Sequence, residues 1–310
     1  MSVVERPLDI TSRERLYFCH NTWQKGGSDM TDFRLSARDI AAYARHLRRE
    51  EKSPATVEKY LRDVCAFACW LADRPLTKEL AAEWRGELTA RGCAPVTVNA
   101  KLSALNGLFR FLGREDCRVK FLKVQRQLFR EAGRELSRTE YDRLLTAAKN
   151  SDQERLALLM ETICATGIRV SEVRYITLEA VRRGRAEIAL KGKIRVILLP
   201  AKLCRKLLAY AGKQKIASGA IFRTRSGKEL GRRQIWAELK SLCARAGVAP
   251  GKVFPHNLRH LFATIFYKAC KDIVRLADIL GHSSIETTRI YLLTSGAEHR
   301  RQLDRLGLIS

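Results

Sequence analysis

FPHNLRHLFATIFYKACKDIVRLADILGHSSIETTRIY, residues 254–291, is the stretch whose reading decides the second half of this chain. Pro255 suits the first turn of a helix, where its missing N–H leaves nothing unpaired. His256 and Arg259, three apart, then share one face of that turn and can meet a single ligand. His260 stands four after His256 and about 100° around the helix from Arg259, so it reads as packing or structural hydrogen bonding. Leu280-Gly281-His282 reads as a helix stopped by glycine, followed by a new helix capped by serine, with Tyr291 about two turns into it. Taken alone, residues 272–292 also fit a helix-turn-helix with a recognition helix from Ser283 onward.

Working back along the chain, Ser137-x-x-Glu140 is a capping box ahead of Tyr141, Leu144 and Leu145. A helix through Leu156, Leu159 and Ile163 stops at Gly167. Arg169 follows that stop at once, with Glu172 three residues on to orient it. AEIAL (186–190) and IRVILL (194–199) are β-prone and separated by Lys191-Gly192-Lys193, a hairpin with a basic tip. Six polar positions therefore stand out: Arg169, Lys191, His256, Arg259, His282 and Tyr291. Each has an ordinary explanation on its own, as a surface arginine, a turn lysine or a core ring. Their order and their contexts carry the signal.

The first half is helical. Ser53-Pro54-Ala55-Thr56-Val57 recurs 41 residues later as Ala94-Pro95-Val96-Thr97-Val98, each opening an amphipathic run. Val57, Tyr60, Leu61, Val64, Phe67 and Leu71 share a face in the first, and Val98, Leu102, Leu105, Phe109 and Leu112 in the second. Shorter helices near 36–49 and 77–91 complete a four-helix unit. The expected organisation is a helical domain over 1–117, a basic connector over 118–134 and a second domain over 135–310. The fold class is mainly α, with a small β-hairpin in the C-terminal domain.

At 310 residues the chain is long enough for two ordinary cores. Its 58 Lys and Arg against 33 Asp and Glu leave +25, far beyond the roughly 2 to 8 charges that keep a small domain soluble. Such a field draws polyanions, and nucleic acid heads the partners it implies. Nine cysteines, odd in number and without a CxxC pair, argue against a disulfide framework or zinc ribbon and suggest free thiols, most of them buried. The opening MSVVERPLDI carries early acidic residues and no apolar run, and the apolar stretches elsewhere are broken by charges. Neither secretion nor membrane insertion is expected; the expected location is cytoplasmic, at the nucleoid. No carboxylate pair is spaced to hold a metal and no Gly-rich phosphate loop or GxSxG occurs, so no cofactor and no metal are expected.

TGIRVSE, LKGKIR, PHNLRHLFAT and LGHSSIETTRIY, in this order, resemble the tyrosine recombinase (phage integrase) superfamily. The helical half resembles that family's core-binding domain. The resemblance implies site-specific recombination or integration of double-stranded DNA, with four protomers on two sites, and leaves room for accessory DNA-bending or directionality proteins. It implies Tyr291 as nucleophile, Arg169 and Arg259 on the scissile phosphate, Lys191 as acid for the leaving oxygen, and His256 and His282 completing the site. Lys193 shares the hairpin tip with Lys191, and Leu190 replaces the glycine usual before that lysine. It also implies that the apolar tail, 297–310, exchanges between protomers, with docking in cis on its own domain as the alternative. The chemistry suits the residues: two guanidinium forks answer charge growing on nonbridging oxygens, and a phosphotyrosyl ester keeps the bond energy needed to reseal a strand. A helix-turn-helix regulator leaves Arg169, His256 and Arg259 unexplained, and a non-catalytic architectural clamp needs only the charge. A type IB topoisomerase shares the chemistry but not the LGHSSIETT segment.

Overall fold

The computed structural model describes residues 33–124, 133–190, 193–282, 284–291 and 304–305. The chain divides into two compact units, Met1–Arg126 and Gln127–Ser310.

Four helices build the first unit: α1 (Ala37–Arg49), α2 (Pro54–Leu71), α3 (Lys78–Ala90) and α4 (Pro95–Phe111). Their starts follow local chemistry. Ser36 and Asp39 close a capping box on α1, the Ser53 hydroxyl accepts from Thr56 N, and Pro54 and Pro95 open α2 and α4. The two similar stretches bury equivalent faces against each other. Val64, Phe67 and Leu71 of α2 and Val98, Leu102, Leu105 and Phe109 of α4 are wholly excluded from solvent. Phe67 and Phe109 meet edge to face at 6.0 Å, a geometry their ring quadrupoles favour.

The start of the expected connector lies along this unit. Asn106 and Asn99, seven apart on α4, each donate and accept one backbone bond, to Val119 and Leu122 respectively, at 2.8–3.0 Å. An amide offers the same donor and acceptor as a peptide group, so α4 holds residues 119–122 much as a neighbouring strand would. Residues 125–132 lie outside the described segments.

In the second unit α5 (Arg138–Asn150), α6 (Glu154–Thr166) and α11 (Pro255–Cys270) surround the main core, where Leu144, Leu159, Met160, Ile163 and Leu258 are fully buried. The short α7 (Leu178–Arg182) leads into strands β1 (Arg185–Leu190) and β2 (Lys193–Leu198), followed by α8 (Ala201–Lys213), α9 (Arg232–Ser241) and α10 (Cys243–Ala246). The strands pair antiparallel from Arg185↔Leu198 to Leu190↔Lys193. Lys193 therefore belongs to β2 rather than to the tip, leaving two residues between the strands, the loop length that best matches strand twist. Lys191 itself lies outside the described residues.

After α11 come α12 (Ile273–Leu280) and α13 (Ile285–Arg289). Gly281 adopts the left-handed conformation that ends α12, and the Ser284 hydroxyl caps α13. Tyr291 does not sit two turns inside α13, as the sequence suggests. That helix has only five residues, and Tyr291 follows it in a tighter turn closed by Tyr291 N to Thr288 O at 2.9 Å. The exchange tail falls outside the described residues apart from 304 and 305. Of the eight described cysteines, none in a disulfide, only Cys117, Cys204 and Cys243 are buried, fewer than the sequence suggests. No described helix is long and apolar enough to cross a membrane.

Candidate active site

Gly167 and Gly281 bring two distant segments together. Both have positive φ, and a side chain on Gly167 would run into Phe262 at 2.5 Å and Leu280 at 2.9 Å. Only glycine lets the end of α6 approach α11 and α12 so closely. The backbone carbonyls at these two helix ends then become acceptors for arginine.

Arg259, from the second turn of α11, is 2% exposed and takes up most of that acceptor capacity. Its Nη1 donates to Gly167 O at 2.5 Å and its Nη2 to Leu280 O at 2.8 Å. Nη2 also lies 3.0 Å from His282 Nε2. A guanidinium has no acceptor, so His282 Nε2 must carry the lone pair. The proton then sits on Nδ1, which donates to Thr288 Oγ1 at 2.8 Å. Burial, Arg169 and other cations push Arg259 down to about 10, offset in part by the neighbouring Tyr291 phenol, and it remains charged at neutral pH.

Tyr291 is buried at 4% exposure. Its ring stacks parallel to His282 with centroids 6.0 Å apart and meets the edge of His260 at 4.8 Å. His260 thus packs against the tyrosine, in keeping with its sequence reading. Arg169 is half-exposed, with Nη1 on Glu172 Oε1 at 2.9 Å and Nη2 on Gly281 O at 3.2 Å. His256 stands at the start of α11, exposed as a whole residue, while partial desolvation of its ring by the packed neighbours, then Arg259 and Arg169, hold its pKa below the usual value. Arg169, His256, Arg259, His282 and Tyr291 therefore gather in one place. Lys191 lies outside the described residues.

Two buried residues join this group. Glu172, at 1% exposure, bridges Arg169 to Arg195 of β2. Arg195 lies within the LKGKIR motif, but nothing in the sequence distinguishes it from the other basic residues of the hairpin. Thr288 is wholly buried and fixes the His282 tautomer; it sits six residues after the histidine and would have been legible only as a core threonine.

His282 makes a pH prediction. Burial, then Arg259, Arg169 and Arg195, push its pKa from 6.5 to about 4. Between those values the unfolded chain takes up a proton that the folded site refuses, so stability rises with pH across this window and is lost as pH falls through it. His256 acts in the same direction. His282→Asn should flatten the slope of melting temperature against pH between about 4 and 6.5. An unchanged slope would contradict the neutral assignment.

Comparison with known proteins finds matches in both halves of the chain. The phage integrase family model matches residues 134–297, and the model for the phage integrase N-terminal SAM-like domain matches 40–116. The tyrosine recombinase XerA of Thermococcus kodakarensis is 31% identical over 279 residues, covering 87% of this chain and 95% of its own.

The chain belongs to the phage integrase family.

It is a tyrosine recombinase, an enzyme of site-specific DNA recombination. The tyrosine recombinase XerD of Brucella suis is likewise 32% identical over 264 residues, covering 76% of this chain and 85% of that protein. Two solved structures share the family fold. A lambda integrase dimer bound to a COC′ core site has a TM-score of 0.67 at 18% identity, covering 83% of this chain and 94% of that one. The Tn1549 transposon integrase in complex with transposon right end DNA has 0.65 at 16%, covering 87% and 99%. The helix-turn-helix regulator and the architectural clamp are not favoured, since neither accounts for matches running through both halves of the chain.

Proposed function

We propose that Tyr291 is the nucleophile of a metal-independent strand exchange on duplex DNA. Its phenolic oxygen attacks the scissile phosphorus, the bond to the 5′ oxygen breaks, and a 3′-phosphotyrosyl ester remains. The 5′ hydroxyl of another strand then attacks that ester, reforms the phosphodiester and releases the tyrosine, so no external energy enters. Arg169 and Arg259 hold the nonbridging oxygens, where charge grows in the transition state and fixed guanidinium donors are most effective. Lys191 delivers the proton to the departing 5′ oxygen. His282, with both ring nitrogens already engaged, orients Arg259. His256, kept neutral and exposed, is the histidine free to take the tyrosine proton.

The observation that carries this reading is the meeting of Arg259, His282 and Tyr291 within one contact shell, with Arg169 sharing the Gly281 turn. Two fixed cations supply the charge that a metal would otherwise provide. Covalent adducts on a nicked duplex, whose short cleaved fragment escapes and blocks resealing, should therefore form equally well in EDTA. Loss of adduct on chelation with recovery on adding magnesium would overturn the metal-free route.

The same reading takes duplex DNA as partner, gripped by a core-binding domain over 1–117 and a catalytic domain over 135–310 joined through 118–134. Four protomers act on two sites, with the 297–310 tail exchanged between neighbours and accessory bending or directionality proteins as further partners. It places the enzyme in the cytoplasm, at the nucleoid, serving a mobile element or a chromosome. A charge of +25 makes binding to random duplex steeply salt-dependent. The logarithm of affinity should fall against the logarithm of salt with a slope of about −0.9 per phosphate neutralised. A flat titration would contradict a clamp that follows the phosphates.

A further inference from the structure

Strand β2 turns a charge inward: Arg195 shares the buried face with Ile197, which is 4% exposed, while three apolar residues of the strand face solvent. Ile194, Val196 and Leu198 expose 79%, 54% and 76% of their surfaces, while the Arg195 side chain between them is 15% exposed. Alternation along a strand ordinarily turns the apolar set inward. Here it brings a guanidinium inward, and the Arg195 Nε finds no acceptor among the described residues. A buried charge that is not fully paired weakens a fold rather than holding it. A local rule broken in this way points to function.

The contacts of Arg195 show what this placement achieves. Nη2 donates to Glu172 Oε2 at 2.5 Å, and Nη1 to Ile279 O, in the last turn of α12, at 3.0 Å. Glu172 in turn receives the Arg169 backbone N–H on Oε2 at 2.7 Å and Arg169 Nη1 on Oε1 at 2.9 Å. The Arg195 stem lies against Gly281, where an added Cβ would come within 2.6 Å of its Cδ. One side chain thus spans the Arg169 segment and the turn that carries His282.

We infer that Arg195 is a positioning residue, which through Glu172 holds the Arg169 guanidinium in register with the His282 turn, and that Gly281 is glycine partly to admit it. The inference rests on the phosphate role proposed for Arg169. Charge supports it as well as geometry. Glu172 beside Arg169 alone would cancel the charge meant for the phosphate; Arg195 on the other carboxylate oxygen leaves the trio with one net positive charge. The fork is needed to reach Glu172 and Ile279 O together, which a lysine cannot do.

The test is single-turnover cleavage of a nicked duplex by wild type, Arg169→Ala, Arg195→Gln, Arg195→Lys and the Arg169→Ala/Arg195→Gln double variant, with duplex affinity and melting temperature measured alongside. Arg195→Gln should slow cleavage by about 10²-fold while duplex affinity stays within about threefold. Arg195→Lys, which keeps the charge and loses the fork, should fall between. Because Arg195 acts through Arg169, the double variant should cleave within about threefold of Arg169→Ala alone. If Arg195→Gln does not fold, the Lys variant carries the same cycle. Multiplying losses, or a wild-type rate in the Arg195 variants, would overturn the inference by itself. A wild-type rate in Arg169→Ala would instead remove the phosphate reading beneath it.

Discussion

Arg259→Lys should slow strand cleavage by about 10²- to 10³-fold, the usual cost of losing one well-placed transition-state donor, with little change in affinity for duplex DNA. Arg259 is held from both sides, by Gly167 O and Leu280 O, and braced by His282 Nε2. That bracing keeps its planar fork at a fixed angle before any DNA arrives. Lysine preserves the charge that draws DNA, so binding persists, but its single ammonium cannot satisfy two carbonyls and still face a phosphate. Alanine is the poorer test, since it strands several buried acceptors at about 1–3 kcal/mol each and mixes folding with chemistry. Single-turnover cleavage of a nicked duplex, beside a binding titration, separates the two effects. Comparable losses in rate and binding would move Arg259 from the reacting phosphate to general DNA contact.

Much of this site can be read from the chain because glycine marks it. Gly167 and Gly281 each end a helix in the left-handed conformation; Arg169 comes two residues after the first stop and His282 one after the second. Pro255 likewise fixes where α11 begins, and so the shared face of His256 and Arg259. What escaped the sequence is what depends on distant packing. Arg195 stands in the hairpin as one basic residue among several, and only the contacts with Glu172 and Ile279 O show why it turns inward beside Ile197. The length of α13 was hidden for a similar reason: its residues are compatible with a longer helix, and the turn at Thr288 is set by the His282 bond that buries that threonine. The hairpin register slipped by one residue at Lys193, where β-propensity and turn chemistry do not separate a strand end from a loop.

The largest effect expected of any substitution is at Tyr291. Its ring stacks on His282 and edges on His260, so phenylalanine retains nearly all of its packing while removing the one atom that can bond to phosphorus. Tyr291→Phe should therefore fold and bind duplex DNA like the wild type. Among the described residues the neighbouring Thr288 hydroxyl is wholly buried and bonded to His282 Nδ1, and water, which carries no covalent link to the chain, would release its product rather than hold it. The decisive measurement is the denaturant-resistant protein–DNA adduct formed on a nicked duplex carrying the recombination site, scored for wild type and Tyr291→Phe at matched DNA occupancy. The account predicts a 3′-linked adduct in the wild type and none in the variant; an adduct of normal yield from Tyr291→Phe would place the nucleophile elsewhere and contradict it.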